Sequence, residues 1–153
     1  MTIRGEYSPK TTWKATAMFS SVVVLALTLC PDSTANTYNL IPMREHGPAW
    51  SCVLRMCPGA AESARFLIVD VLGNVAVFLP IGLTIAGAAS GTRWSRFRLA
   101  IGLGALLSLL IELTQFGIST RATDVDDLIF NTLGAALGAG LFLIWRSWSS
   151  RPV

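Results

Sequence analysis

The chain of 153 residues is 52% hydrophobic and only 14% charged, with a mean hydropathy of +0.56, a balance that lipid tolerates and a small water-soluble domain rarely shows. A soluble helical bundle is excluded on the same ground, because helices of such length in water need polar outer faces and the long apolar runs here have almost none. The net charge of +3 comes from the flanks of those runs, so it gives no reason to expect a nucleic-acid partner.

Four apolar stretches, residues 12–30, 66–90, 99–118 and 128–148, each have the roughly 17–25 residues that a helix needs to cross a bilayer. The predicted fold class is all-α: an integral membrane bundle of four transmembrane helices, a single domain over residues 1–153. Charge sets its orientation. The N-terminal tail carries Arg4, Lys10 and Lys14 against Glu6, the 91–98 loop carries Arg93, Arg96 and Arg98 unopposed, and the C-terminal end carries Arg146 and Arg151. By the positive-inside rule these three segments, and with them both termini, are cytoplasmic. The 31–65 loop balances Arg44, Arg55 and Arg65 with Asp32, Glu45 and Glu62, and the 119–127 turn sets Arg121 against Asp124, Asp126 and Asp127. Both therefore lie outside.

The first span has a competing reading as a signal peptide, from its basic start and the small residues Ser33-Thr34-Ala35. Leu27-Thr28-Leu29-Cys30 also approximates a lipoprotein processing site, but Leu29 is too large for it, and Cys30 reads instead as a packed thiol. In the outer loop, Cys52 and Cys57 among prolines and glycines read either as a disulfide or as two free thiols. Their spacing fits no zinc pattern and His46, the only histidine, adds too few ligands, so no metal site and no cofactor are expected.

In the second span Asp70 and Asn74, four apart, share a face in the outer half, and in the third Glu112 and Gln115, three apart, share one near the outer end. At the start of the fourth, Asp124, Asp127 and Asn131 form one line, whereas Asp126 points elsewhere and reads as a helix-end acid. Thr123 or Asp124 is a good N-cap there. Charged and amide side chains in apolar runs are expensive to bury, so Asp70, Asn74, Glu112, Gln115, Arg121, Asp124, Asp127 and Asn131 are the candidate binding residues. An ion pair between Glu112 and Arg121 would fasten the bundle. Below this layer, Gly134 to Gly138 presents a small-xxx-small surface. Pro80 with Gly82 marks a kink-prone centre of span two, and Gly102 and Gly104 read as close-contact points.

Asn39-Leu40-Ile41-Pro42, Asn74 followed by Phe78-Leu79-Pro80-Ile81-Gly82, Glu112-Leu113-Thr114-Gln115, Arg121, and Asp124 through Asp127 into Asn131-Thr132-Leu133-Gly134 keep the order and spacing of a known set. Over residues 39–138 the chain resembles the VanZ-like family of bacterial membrane proteins, departing from it at Met43, where an aromatic is more usual. The resemblance implies a small multi-pass protein of the bacterial cell membrane and an association with resistance to the glycopeptide teicoplanin. It implies no particular reaction. Two readings of the outer cluster therefore stand. In one it is a pocket for membrane lipids, for the headgroup of a lipid or the lipidated part of a glycopeptide. In the other it is an enzyme site for a lipid-linked envelope precursor, with Glu112 as acid or base and Asp124 with Asp127 holding a divalent cation. No nucleophile or phosphate-binding loop accompanies the carboxylates, which favours binding. An ion pathway would need acids in the inner halves of the spans, and there are none.

Overall fold

A computed structural model describes residues 9–28, 38–117 and 123–149. Helix α1 (Pro9–Thr28) is followed by the two-residue strand β1 (Tyr38–Asn39), then by α2 (His46–Arg55), α3 (Ala60–Leu67) and α4 (Gly73–Ala88). Helix α5 (Arg93–Gly117), strand β2 (Thr123–Asp124) and α6 (Val125–Ser149) complete the order. A π-helical turn, Ile68–Leu72, joins α3 to α4, so that Ala60–Ala88 is one helix of 29 residues.

Among the described residues three helices, Ala60–Ala88, Arg93–Gly117 and Val125–Ser149, are long and apolar enough to cross a membrane. At about 1.5 Å per residue they exceed the roughly 30 Å hydrocarbon layer. Each begins earlier than the hydropathy pattern predicts, by six residues in the second and third expected spans. The extra turns hold Glu62, Arg65, Arg93, Arg96 and Arg98; long charged side chains can lay their stems on an apolar surface while the heads stay outside it, although Arg96 is buried. Helix α1 has the length of a span, but its first half carries Lys10, Thr11, Thr12 and Lys14, and it is not among the three. The hydroxyls of Thr16, Ser20 and Ser21 donate to carbonyls four residues earlier, each at 2.9 Å, so these three hydroxyls are satisfied within the helix.

Helices α4 and α6 form the most extensive pairing; α5 packs on both and α1 lies against α4. The glycines explain the closeness of α4 and α6. A Cβ at Gly134 would meet the Val75 carbonyl, one at Gly138 the Leu79 carbonyl, and one at Gly82 the Ala135 carbonyl. The small-xxx-small face thus lets two backbones touch, as its spacing predicts. Gly104 does the same against Ala135, but Gly102 has nothing within 4 Å and faces outward. The contact role expected of Gly102 is therefore wrong, since the two glycines lie some 200° apart around the helix. Around this pair, Val24, Phe78, Ile81 and Ile111 make one buried cluster, and Ala86, Ala100, Ala139 and Phe142 a second.

Helix α4 continues through Pro80, where Thr84 donates its hydroxyl to the Pro80 and Ile81 carbonyls at 2.7 and 3.1 Å. At its far end the buried guanidinium of Arg96 donates to the carbonyls of Ala86 and Gly91 at 3.1 and 3.2 Å, closing the α4–α5 turn. Cys52 and Cys57 are joined in a disulfide that ties α2 to the turn preceding α3. Arg121, Cys30 and the signal-like residues 33–35 lie outside the described residues.

Substitutions at two glycines of α6 separate close packing from helix propensity. Gly138→Ala should destabilise the folded protein by at least about 1–3 kcal/mol through overpacking on the α4 backbone, whereas Gly140→Ala, with open space around it, should be neutral or stabilising by up to ~1 kcal/mol. Thermal unfolding in detergent checks both.

Candidate functional site

The site is strung along the first turn of α6. Asp124 stands immediately before that helix, and one of its carboxylate oxygens accepts the Asp126 backbone N–H at 2.8 Å, an N-cap geometry. The parallel bridge of β1 with β2 pairs Asn39 with Asp124, and the Asn39 amide donates to both Asp124 oxygens at 3.1 Å. The Asp124 backbone N–H in turn donates to the buried Glu112 carboxylate at 3.1 Å. The Asn-Leu-Ile-Pro segment, the Glu112 helix and the acidic run are thereby joined.

Asp126 is the centre of the arrangement. Its side chain is 0% exposed. It accepts the Met43 backbone N–H at 2.8 Å, presented by a turn in which Met43 has a left-handed φ of 60°, and lies 2.7 Å from His46 Nδ1. The other imidazole nitrogen, Nε2, is 2.8 Å from Asp70 Oδ2. Phe66 and Phe130 cover the ring, each with its centroid 5.1 Å away. One imidazole therefore links two carboxylates from different helices. Burial alone would push the His46 pKa down, but the hydrogen bonds and charges of Asp70 and Asp126 outweigh it and raise the pKa above the ordinary histidine value.

The remaining candidates pair locally. Asn74 donates to Asp127 at 2.6 Å, and deeper in the bundle Asn131 donates to the buried Ser108 hydroxyl at 3.0 Å. Gln115 is buried near the end of α5. Asp70, on the π-helical turn, is the most open of the clamped groups, its side chain 35% exposed.

Two expectations need correction. Asp126 does point away from the line of Asp127 and Asn131, but into His46 rather than toward water. His46, set aside because it lacked partners for a metal, gains its partners only through the fold. Its signal in the sequence was being the single imidazole in a chain of few charges, four residues after the Asn39–Pro42 motif. The expected Glu112–Arg121 pair involves Arg121, which lies outside the described residues; Glu112 receives the Asp124 N–H. Asp124 and Asp127 are turned to different amides, Asn39 and Asn74, rather than toward a common point. Among the described residues no three His, Cys, Asp or Glu side chains are grouped so as to hold a metal ion.

Beside the cluster, an apolar groove of about 280 Å³ runs between α5 and α6. Leu109, Leu113, Phe116 and Leu128 line it, Leu40 closes one side, and the buried Glu112 and Thr123 belong to its wall.

An all-α membrane protein with a histidine-clamped carboxylate cluster at one end of its bundle is the class that this fold and site define. The chain belongs to the VanZ/LLP1 family, whose sequence model matches residues 11–146. It is 33% identical over 73 residues to Protein VanZ of Enterococcus faecium, a match covering 48% of this chain and 44% of that one, so it spans less than half of that relative. No solved structure matches it.

The raised pKa of His46 fixes the sign of its pH dependence. The folded state holds the proton more tightly than the unfolded one, so the clamp contributes fully below about pH 6.5 and its contribution is lost as pH rises through the higher folded value. The thermal midpoint should therefore fall with rising pH above the ordinary histidine range, and His46→Gln should flatten that fall. Asp126→Asn, which removes one charge of a buried pair, should cost on the order of 3–5 kcal/mol at pH 6.

Proposed function

We propose that this chain is a multi-pass protein of the bacterial cell membrane, with four spans and both termini cytoplasmic, that binds a lipid headgroup or the lipidated part of a glycopeptide in the outer leaflet and so contributes to glycopeptide resistance. The observation that carries this reading is the apolar groove beside the acidic layer, with the buried Glu112 and Thr123 among the residues of its wall. An amphiphile would lay a chain along Leu109, Leu113 and Leu128 and leave its polar part at the acidic layer. The groove is near the lower end of ligand-pocket sizes, roughly 300–1,000 Å³, suited to a chain rather than a whole antibiotic. Family membership supports the resistance association. The reading as an enzyme with Glu112, Asp124 and Asp127 as acid, base or cation ligands is weaker, because Asp124 and Asp127 each already accept a hydrogen bond from an amide.

The test is teicoplanin susceptibility of cells expressing each variant at matched membrane levels. Leu113→Trp, which fills the groove, should abolish protection, whereas Asp124→Asn and Asp127→Asn should reduce it only partly. Complete loss in both Asn variants, dependent on divalent ions, would instead establish the enzyme reading. Orientation is checked by labelling intact cells in a Cys30→Ser background. A cysteine at Glu62 should react and one at Ser95 should be protected; the reverse pattern would invert the topology.

A further inference from the structure

A second groove at the end of the bundle where α6 begins is lined by both signs of charge. It measures about 410 Å³, and its lining is Glu62, Arg65, Phe66, Val69 and Asp70, all on one face of the Ala60–Ala88 helix by three- and four-residue steps. The two carboxylates stand on the row of residues 62, 66 and 70, and Arg65 on the adjacent row with Val69. Glu62, Arg65, Phe66 and Val69 are exposed. Among the described residues Glu62 and Arg65 form no ion pair or side-chain hydrogen bond, with each other or with any third group. Asp70 gives its Oδ2 to His46 Nε2 at 2.8 Å, and its Oδ1 has no hydrogen-bond partner among the described residues. One imidazole stands between Asp70 and the fully buried Asp126, so it can neutralise only one of the two carboxylates. Phe66, whose ring also covers His46, and Val69 supply the apolar part of the groove.

We infer that this groove holds the headgroup of a zwitterionic phospholipid bearing a primary ammonium, phosphatidylethanolamine, with the phosphate on Arg65, the ammonium on the carboxylate row of Glu62 and Asp70, and the start of an acyl chain on Phe66 and Val69. Charge complementarity selects the ligand. A guanidinium presents parallel N–H donors to a phosphate, and a primary ammonium presents three N–H donors to carboxylates. A quaternary headgroup has no such donor, and an anionic lipid without an amine would bring its phosphate against two unanswered carboxylates. The groove lies near the start of a helix long enough to cross the bilayer, the level at which headgroups stand, and it is within the size range of ligand pockets, roughly 300–1,000 Å³. None of its lining residues lines the groove between α5 and α6, so the inference does not rest on the proposed resistance function.

The experiment is native mass spectrometry of the purified full-length chain released from detergent, titrated with phosphatidylethanolamine, phosphatidylcholine and phosphatidylglycerol of identical acyl chains. Phosphatidylethanolamine should be retained about ten-fold more tightly than either of the others. Glu62→Lys, at an exposed position where folding is not at stake, puts a cation beside Asp70 and should remove that preference. Arg65→Gln should weaken phosphatidylethanolamine by about ten-fold, because the phosphate loses its partner. Arg44→Gln, which removes an exposed cation that does not line the groove, should keep the preference. Equal retention of phosphatidylethanolamine and phosphatidylcholine by the native chain, or a preference that survives Glu62→Lys, would overturn the inference.

Discussion

A buried imidazole between two carboxylates organises the end of the bundle at which α6 begins. Asp126 has no exposure at all, and a carboxylate so placed is tolerable only when charge and hydrogen bonds compensate for lost water. His46 and the Met43 N–H supply that compensation. Because His46 opens α2 and its second nitrogen is held by Asp70 of the long helix, one side chain fixes α2, α6 and the α3–α4 helix relative to one another. The β1–β2 bridge and the Asn39–Asp124 contact follow from that docking. So does the position of Leu40 at the wall of the apolar groove.

The clamp in turn depends on how closely α4 and α6 approach. Gly134 and Gly138 lie against the carbonyls of Val75 and Leu79, which holds the two helices close enough for Asn74 to reach Asp127 at 2.6 Å. Packing in lipid has little hydrophobic drive between helices, so small residues and interhelical hydrogen bonds carry the association. The same rows thus serve stability and site geometry together. The π-helical turn at Ile68–Leu72 lies at the level where Asp70 must meet His46 while Asn74, one turn on, meets Asp127. Such single-turn insertions recur at functional sites because they re-aim one side chain without ending the helix.

The molecule is polar in opposite senses at its two ends. Carboxylates gather where α6 begins, favoured by the positive end of that helix dipole, and Lys10, Lys14, Arg93, Arg96, Arg98 and Arg146 lie at the far end. An apolar groove adjoins each.

The helical class, the three long apolar helices and the close-packing face of Gly134 and Gly138 were legible in the sequence, because hydropathy and residue size act locally and repeat with the helix. So was the identity of most polar groups at the seam, since a Glu or Asp within an apolar run is conspicuous wherever it ends up. Helix starts were read too late because charged first turns look like loop until their stems are seen to lie along the bundle. The pairing of those groups was decided by tertiary structure alone. Asp126 looked like a helix-end acid and His46 like an isolated ring, for they are 80 residues apart and nothing in either local pattern refers to the other. Only when the Met43–His46 segment docks on α6 does burial remove water from both and leave each as the other's partner.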